Sequence, residues 1–223
     1  MNSIDASQVV FRVAQIRQLV VAAGGKDVKL IAVTKTFNVA ALVAAFDAGC
    51  DGVGENYAQE LIGKMRELPS EKRLPVHFVG RLQTNKVKSI AGLVDVWQTV
   101  DRPDLITEIA KRCANELGDT KPQIMLQVNA TGELDKGGCL PVEASKLLDL
   151  ARSKGLEVLG LMTVGPTSNE PEQTRQAFQL VRKLVDALGL KHCSMGMTGD
   201  LEIAVAEGAT MIRLGSALFG PRR

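Results

Sequence analysis

Metal ligands are the first thing this sequence is short of. It has two histidines, His77 and His192, and no Cys-x-x-Cys pair, so a metal site is not expected. Its four cysteines, at positions 50, 113, 139 and 193, show neither metal spacing nor a pairing pattern. They read as reduced, small hydrophobic side chains rather than a disulfide framework. Charge of one sign is also lacking: 27 basic against 25 acidic side chains leave a net charge of +2, with no basic tail or stripe. That argues against nucleic acid and membrane surfaces as partners. No run reaches the roughly 18 apolar residues that a membrane span needs. The N-terminus has no charged segment leading into an apolar core, as a signal peptide would. A cytoplasmic protein is expected.

What is present is alternation. Short apolar runs bounded by turn signals occur at 29–36, 52–55, 76–80, 96–100, 124–129, 158–163, 193–196 and 211–216. Such runs are how strands of a parallel sheet covered on both faces look. Helical patterns at 39–48, 57–67, 103–117, 142–154, 172–188 and 200–207 lie between nearly all of them. Glycines follow several of these at 49, 118, 155, 189 and 208, as helix C-termini prefer. Eight βα units mean a closed barrel or a doubly wound open sheet. An eightfold barrel typically takes about 250 residues, and 223 fits a compact one. The loop after the first strand, Thr36-Phe37-Asn38, lacks the three-glycine phosphate fingerprint of the open sheet. The expected fold is therefore α/β, a single (β/α)8 TIM barrel forming one domain over 1–223. Residues 217–223 are too few for a full eighth helix, so the amphipathic stretch at 6–21 is expected to cover that flank.

In such barrels the working residues sit at the C-terminal ends of the strands, with phosphate commonly held after strands seven and eight. Lys35 closes the first apolar run; buried there, its amine would serve chemistry, although a strand-end lysine also snorkels to solvent. Strand seven runs into Ser194-Met195-Gly196-Met197-Thr198-Gly199-Asp200, small and hydroxyl residues ahead of a helix whose free N–H groups attract an anion. A plain N-cap is the competing reading. Strand eight ends Gly215-Ser216. Arg213 shares a face with Met211 and Gly215. A buried guanidinium cannot shed its proton and needs an acceptor or an anion, and an ion pair with Glu55 is one structural solution.

Val-Thr-Lys-Thr around Lys35, Gly54-Glu55-Asn56-Tyr57-Ala58-Gln59-Glu60, the run from His77 to Lys86, Gly160-Leu161-Met162-Thr163, Ser194-Met195-Gly196-Met197 and Ile212-Arg213-Leu214-Gly215-Ser216 together resemble the pyridoxal phosphate homeostasis protein family. This is the PLP-binding, YggS/PROSC-type group, and its fold resembles the N-terminal barrel of alanine racemase. The resemblance implies that Lys35 holds pyridoxal 5'-phosphate (PLP) as a Schiff base. It further implies that the loops after strands seven and eight, with Ser194, Gly196, Met197, Thr198, Gly215 and Ser216, hold the phosphate, that Arg213 lies near the pyridine nitrogen, and that Asn56 and Met162 belong to the cofactor site. An arginine there leaves that nitrogen unprotonated and the ring a weaker electron sink. Racemases of this type resemble a barrel plus a C-terminal β-domain that brings a tyrosine base; no such domain is expected here, and Tyr57 is expected to pack at the barrel rim.

The function expected is a carrier or buffer in intracellular PLP (vitamin B6) homeostasis, not an enzyme, with apo PLP-dependent enzymes as candidate recipients. A monomer or weak dimer is expected, since racemase-like dimer contacts belong largely to the second domain. Two enzymatic alternatives stand beside it: a weak racemase-type PLP enzyme, and a Schiff-base aldolase-like barrel with Glu55 as its acid/base. A regulatory protein whose PLP is incidental is a third. Thr198 stands where the family commonly has serine and keeps the hydroxyl. Lys136, in the loop after strand five, could hold or transfer cofactor, but an exposed, solvated lysine is expected.

Overall fold

The computed structural model describes residues 4–114 and 121–221. Its strands are β1 (Lys29–Val33), β2 (Gly52–Glu55), β3 (Val76–Phe78), β4 (Val96–Val100), β5 (Gln123–Gln127), β6 (Glu157–Met162), β7 (His192–Ser194) and β8 (Met211–Leu214). Each is parallel to its neighbours, and β8 returns to β1, closing the barrel. Ile31 thereby lies beside Gly52 on one side and Arg213 on the other.

The helices are α1 (Ala6–Ala22), α2 (Val39–Asp47), α3 (Ala58–Glu67), α4 (Val87–Ile90), α5 (Pro103–Cys113), α6 (Ala144–Ser153), α7 (Pro171–Ala187), α8 (Leu201–Ala206) and α9 (Ser216–Phe219). The expected helices recur within a few residues of their reading. The end of the 103–117 stretch, residues 115–117, and Gly118 lie outside the described residues. The two single-turn helices α4 and α9 were not expected, because four residues are too few to show a 3.6-residue period. Gly49, Gly155, Gly189 and Gly208 all take positive φ just past helix ends, as their positions suggested.

Helix α1 covers the flank beside β8. It buries Val9, Val13, Ile16 and Val20 and packs on α2, α8 and α9. Arg12 Nη1 reaches the Leu218 carbonyl of α9 at 2.8 Å. Alternation along each strand divides the core in two. Outward residues such as Leu30, Phe78, Trp97 and Ile212 pack against the helices. Inside the barrel, Val96, Met125, Met162 and Met211 form a separate apolar floor. All four cysteines are buried and none forms a disulfide; burial pushes the Cys50, Cys139 and Cys193 thiols up to about 12. Among the described residues there is no metal-binding group of three or more His, Cys, Asp or Glu, and no helix is long and apolar enough to cross a membrane.

Candidate functional site

Above the methionine floor the barrel interior turns polar, and its centre is Arg213. Only 5% of this residue is exposed. Its Nη1 donates to Ser194 Oγ and its Nη2 to the Thr163 carbonyl, both at 2.7 Å. The Ser194 hydroxyl passes the bond on to Gln98 Oε1 at 2.7 Å, and Gln98 Nε2 meets His77 Nδ1 at 2.7 Å. Burial first, then repulsion from Lys29 and Arg213, brings His77 down to about 4, so its neutral ring accepts from the Gln98 amide at neutral pH. One directed chain, Arg213 to Ser194 to Gln98 to His77, thus crosses the barrel. Burial also pulls the Arg213 guanidinium down to about 10, with Asp200 and Cys193 opposing, so it stays charged near neutrality.

The Arg213–Glu55 ion pair, one of the solutions the sequence left open, is not formed. Glu55 lies on the other face of the sheet, where its Oε1 takes Lys64 Nζ at 2.7 Å and the Thr34 hydroxyl at 2.6 Å. Residues 34 and 55 point at α3, whereas 31, 33 and 54 share the inner face: a Cβ on Gly54 would meet Val33 and Ile31. Among the described residues Arg213 has neutral hydrogen-bond partners and no carboxylate in ion-pair range.

Lys35 lies two residues past the end of β1 and is half-buried. The apolar run suggested a strand through to it, but the chain turns at Thr34: the Phe37 amide donates back to the Thr34 carbonyl at 3.1 Å, and Thr36 adopts φ +68°. Lys35 therefore occupies the second position of a tight turn at the barrel mouth. Side chains of α3 take the backbone on both sides of it, Lys64 Nζ donating to the Thr34 carbonyl and Glu60 Oε2 accepting from the Thr36 amide, each at 2.8 Å.

The loops after β7 and β8 meet. Thr198 Oγ1 and Ser216 Oγ lie 3.2 Å apart, both exposed, and Gly215 precedes the first turn of α9. Gly196 turns the chain at φ +98°, where an added Cβ would strike Ala204 at 2.7 Å. The Met197 amide is already used, donating to Asp200 Oδ1 at 2.5 Å. Asp200 is buried, and that burial raises its carboxyl above the usual range despite the bond. Ser194 and Met162 sit deeper than the rest, the first committed to Arg213 and Gln98, the second within the apolar floor. Asn56, half-buried at the end of β2, opens onto a cleft of about 1030 Å³ that Tyr57, Arg81, Lys86 and Arg102 also line. Tyr57 is 52% exposed on the rim.

Lys136 is not the solvated lysine that was expected. Its Nζ donates to the Gly165 carbonyl and to Glu133 Oε1, and Glu133 in turn accepts the Thr167 amide at 3.0 Å, which ties the loop after β5 to the loop after β6. The residues that sequence reasoning missed are Gln98, His77 as a buried acceptor, and the Glu60 and Lys64 pair. Glu60 and Lys64 have helical i, i+4 spacing, which reads as an ordinary surface pair; Gln98 within Val96-Trp97-Gln98-Thr99-Val100 was the visible signal, a polar side chain in an apolar strand.

The family described as alanine racemase, N-terminal domain, matches residues 4–223. A pyridoxal phosphate homeostasis protein of Aquifex aeolicus is 37% identical over 207 residues, covering 90% of each chain. The structure of PipY from Synechococcus elongatus with PLP bound superposes with a TM-score of 0.83 at 33% identity, over 95% of this chain and all of that one. An alanine racemase of Clostridium difficile shares the fold with a TM-score of 0.79 at 16% identity; this chain matches 58% of its length. On its sequence and its barrel alike, the chain belongs to the pyridoxal phosphate homeostasis protein family, built on the alanine racemase N-terminal domain.

Proposed function

We propose that this chain, as one barrel domain over 1–223, binds PLP with Lys35 as the covalent attachment point and serves as a carrier or buffer in PLP homeostasis. The observation that carries the reading is Arg213: a buried cation bonded to a hydroxyl and a carbonyl but without a carboxylate in range among the described residues, beneath a mouth whose rim holds an amine and paired hydroxyls. A buried charge of this kind is costly unless a ligand or dipole answers it, and that donor set fits an aromatic aldehyde carrying a phosphate. When bound, PLP supplies an aldehyde that reacts reversibly with amines and a ring that withdraws electrons.

In this reading Lys35 supplies the amine, Thr198 and Ser216 donate to the phosphate with Gly196, Met197 and Gly215 shaping their loops, and Asn56 flanks the mouth. Arg213 donates toward the ring nitrogen. A guanidinium cannot pass its proton on at neutral pH, so it leaves that nitrogen unprotonated and weakens carbanion chemistry. Ser194, with Gln98 and His77 behind it, fixes the Arg213 fork, and Met162 floors the pocket. The aldolase alternative needs an acid/base carboxylate or tyrosine beside Lys35; Glu55, its candidate, is bound to Lys64 on the helix side, and Glu60 is bonded to the Thr36 amide. The names of the relatives support homeostasis over turnover.

The test is the absorbance spectrum of purified protein with added PLP, before and after borohydride. A new visible band, trapped as a stable adduct on Lys35 and absent from Lys35→Ala, is the expected result. Sustained PLP-dependent racemisation or decarboxylation that disappears with Lys35→Ala would show an enzyme instead. Return of activity to an apo PLP-dependent enzyme mixed with loaded protein tests the carrier role.

A further inference from the structure

The amine at the centre of this reading stands on a turn that its own residues do not favour. Thr36 is β-branched, and φ +68° is a conformation such residues rarely adopt. Strain of this sort persists only where the surroundings over-determine it. Here the surroundings are two side chains of one helix. Glu60 accepts the Thr36 amide and Lys64 donates to the Thr34 carbonyl, each at 2.8 Å, so the peptide groups flanking Lys35 are both bonded to α3.

Lys64 is itself buried, and its Nζ has three oxygen acceptors: the Thr34 carbonyl, Glu55 Oε1 at 2.7 Å and Glu60 Oε2 at 3.5 Å. Those three acceptors match the three protons of an ammonium group. Glu55 also takes the Thr34 hydroxyl at 2.6 Å, so Thr34 is bonded to the cluster through side chain and backbone together. A buried lysine and glutamate between a strand end and a helix contribute less to stability than apolar side chains of the same size would. What Lys64 and its i−4 neighbour Glu60 do that apolar residues cannot is bind peptide groups.

We propose that Glu60 and Lys64 are positioning residues for Lys35. They lock the 34–36 turn so that the Cα–Cβ direction of Lys35 is set before any ligand arrives, and part of the orientational cost of capturing an aldehyde is met in advance. Neither residue touches the ligand; both act through the backbone. The proposal rests on Lys35 being the attachment point.

The experiment compares wild type, Glu60→Ala, Glu60→Gln and Lys64→Met in two ways. In ligand-free protein, hydrogen exchange of the Thr36 amide reports the clamp directly. With ligand, borohydride-trapped PLP on Lys35 measures covalent capture, and pyridoxine 5'-phosphate, whose alcohol cannot attach to an amine, measures non-covalent binding. In Glu60→Ala, Thr36 exchange accelerates and capture falls about tenfold, the scale of one charge-assisted hydrogen bond, while analogue affinity changes by less than about twofold. Glu60→Gln keeps an acceptor oxygen and recovers most of the capture. Lys64→Met lowers capture as well; should it fail to fold, the two Glu60 variants decide the matter alone. Unchanged Thr36 exchange and unchanged capture in Glu60→Ala overturn the proposal, and so does an equal loss of capture and analogue binding. Absence of any Lys35 adduct in wild type is a different failure: it removes the PLP reading, whereas the exchange measurement still reports whether the clamp exists.

Discussion

His77 shows how much a single buried side chain can bend the acid stability of this protein. An ordinary histidine titrates near 6.5, but the folded protein holds His77 at about 4 because burial disfavours its charged form. Between those values the unfolded chain binds one more proton than the native one, so stability rises with pH from about 4 to 6.5 and is lost as pH falls through the same window. The full loss is about 3 kcal/mol. Burial raises the carboxyls of Glu55 and Asp200, which act with the opposite sign in the acid range. The difference between wild type and His77→Gln therefore isolates the histidine. Urea denaturation at pH 7 and at pH 4.5 is expected to show a steeper loss in wild type; parallel profiles would mean that His77 titrates in the fold as it does in the unfolded chain. Lys35, Arg213 and the hydroxyls at 198 and 216 were legible in the sequence because each breaks an apolar run or follows one. Gln98, His77 and Lys64 were not assignable, since their partners lie on other strands and helices, and residue spacing carries no information about those distances.

At the scale of elements, the period-2 and period-3.6 patterns were enough to order the strands and helices, because a barrel buries both faces of every strand and leaves each as an apolar run. The strand ends were harder. β1 stops at Val33 rather than running on through Lys35 to Thr36, and the reason is tertiary: α3 takes the Thr34 carbonyl and the Thr36 amide, which a longer strand would have paired. The β6–β7 contact was equally hidden. A Cβ at Gly160 would lie 1.8 Å from the His192 carbonyl oxygen, and backbone on both sides leaves nothing flexible to yield. Gly160→Ala is expected to force β7 away from β6 and to cost 3 kcal/mol or more, on the order of the heavier overpacking penalties. A chemical-denaturation midpoint within the scatter of wild type would show that the two strands can part without cost. Since Ser194 sits on β7, the same substitution should also loosen Arg213, visible as weaker trapping of PLP on Lys35.

At the scale of the whole molecule, the barrel closes where β8 meets β1, and α1 lies across that seam. Its four buried side chains pack with α2, α8 and α9, and Arg12 bonds the Leu218 carbonyl just after the hydroxyl of Ser216, so the helix is joined to the flank that carries the last loop of the site. A closed sheet has no free edge at which to fray, so loss of packing on this flank should be felt everywhere at once. Ile16→Ala deletes a buried side chain on the inner face of α1 and is expected to cost about 2–4 kcal/mol. In a chain of this size each kcal/mol lowers the Tm by roughly 2–4 °C. The shape of the transition discriminates more sharply than its size. If α1 is integral to the barrel, far-UV dichroism, tryptophan emission from Trp97 and loss of PLP capture in Ile16→Ala coincide in one transition with the m-value of wild type. If α1 is a detachable arm, dichroism shows an early partial loss while Trp97, buried on the distant β4, reports the wild-type midpoint.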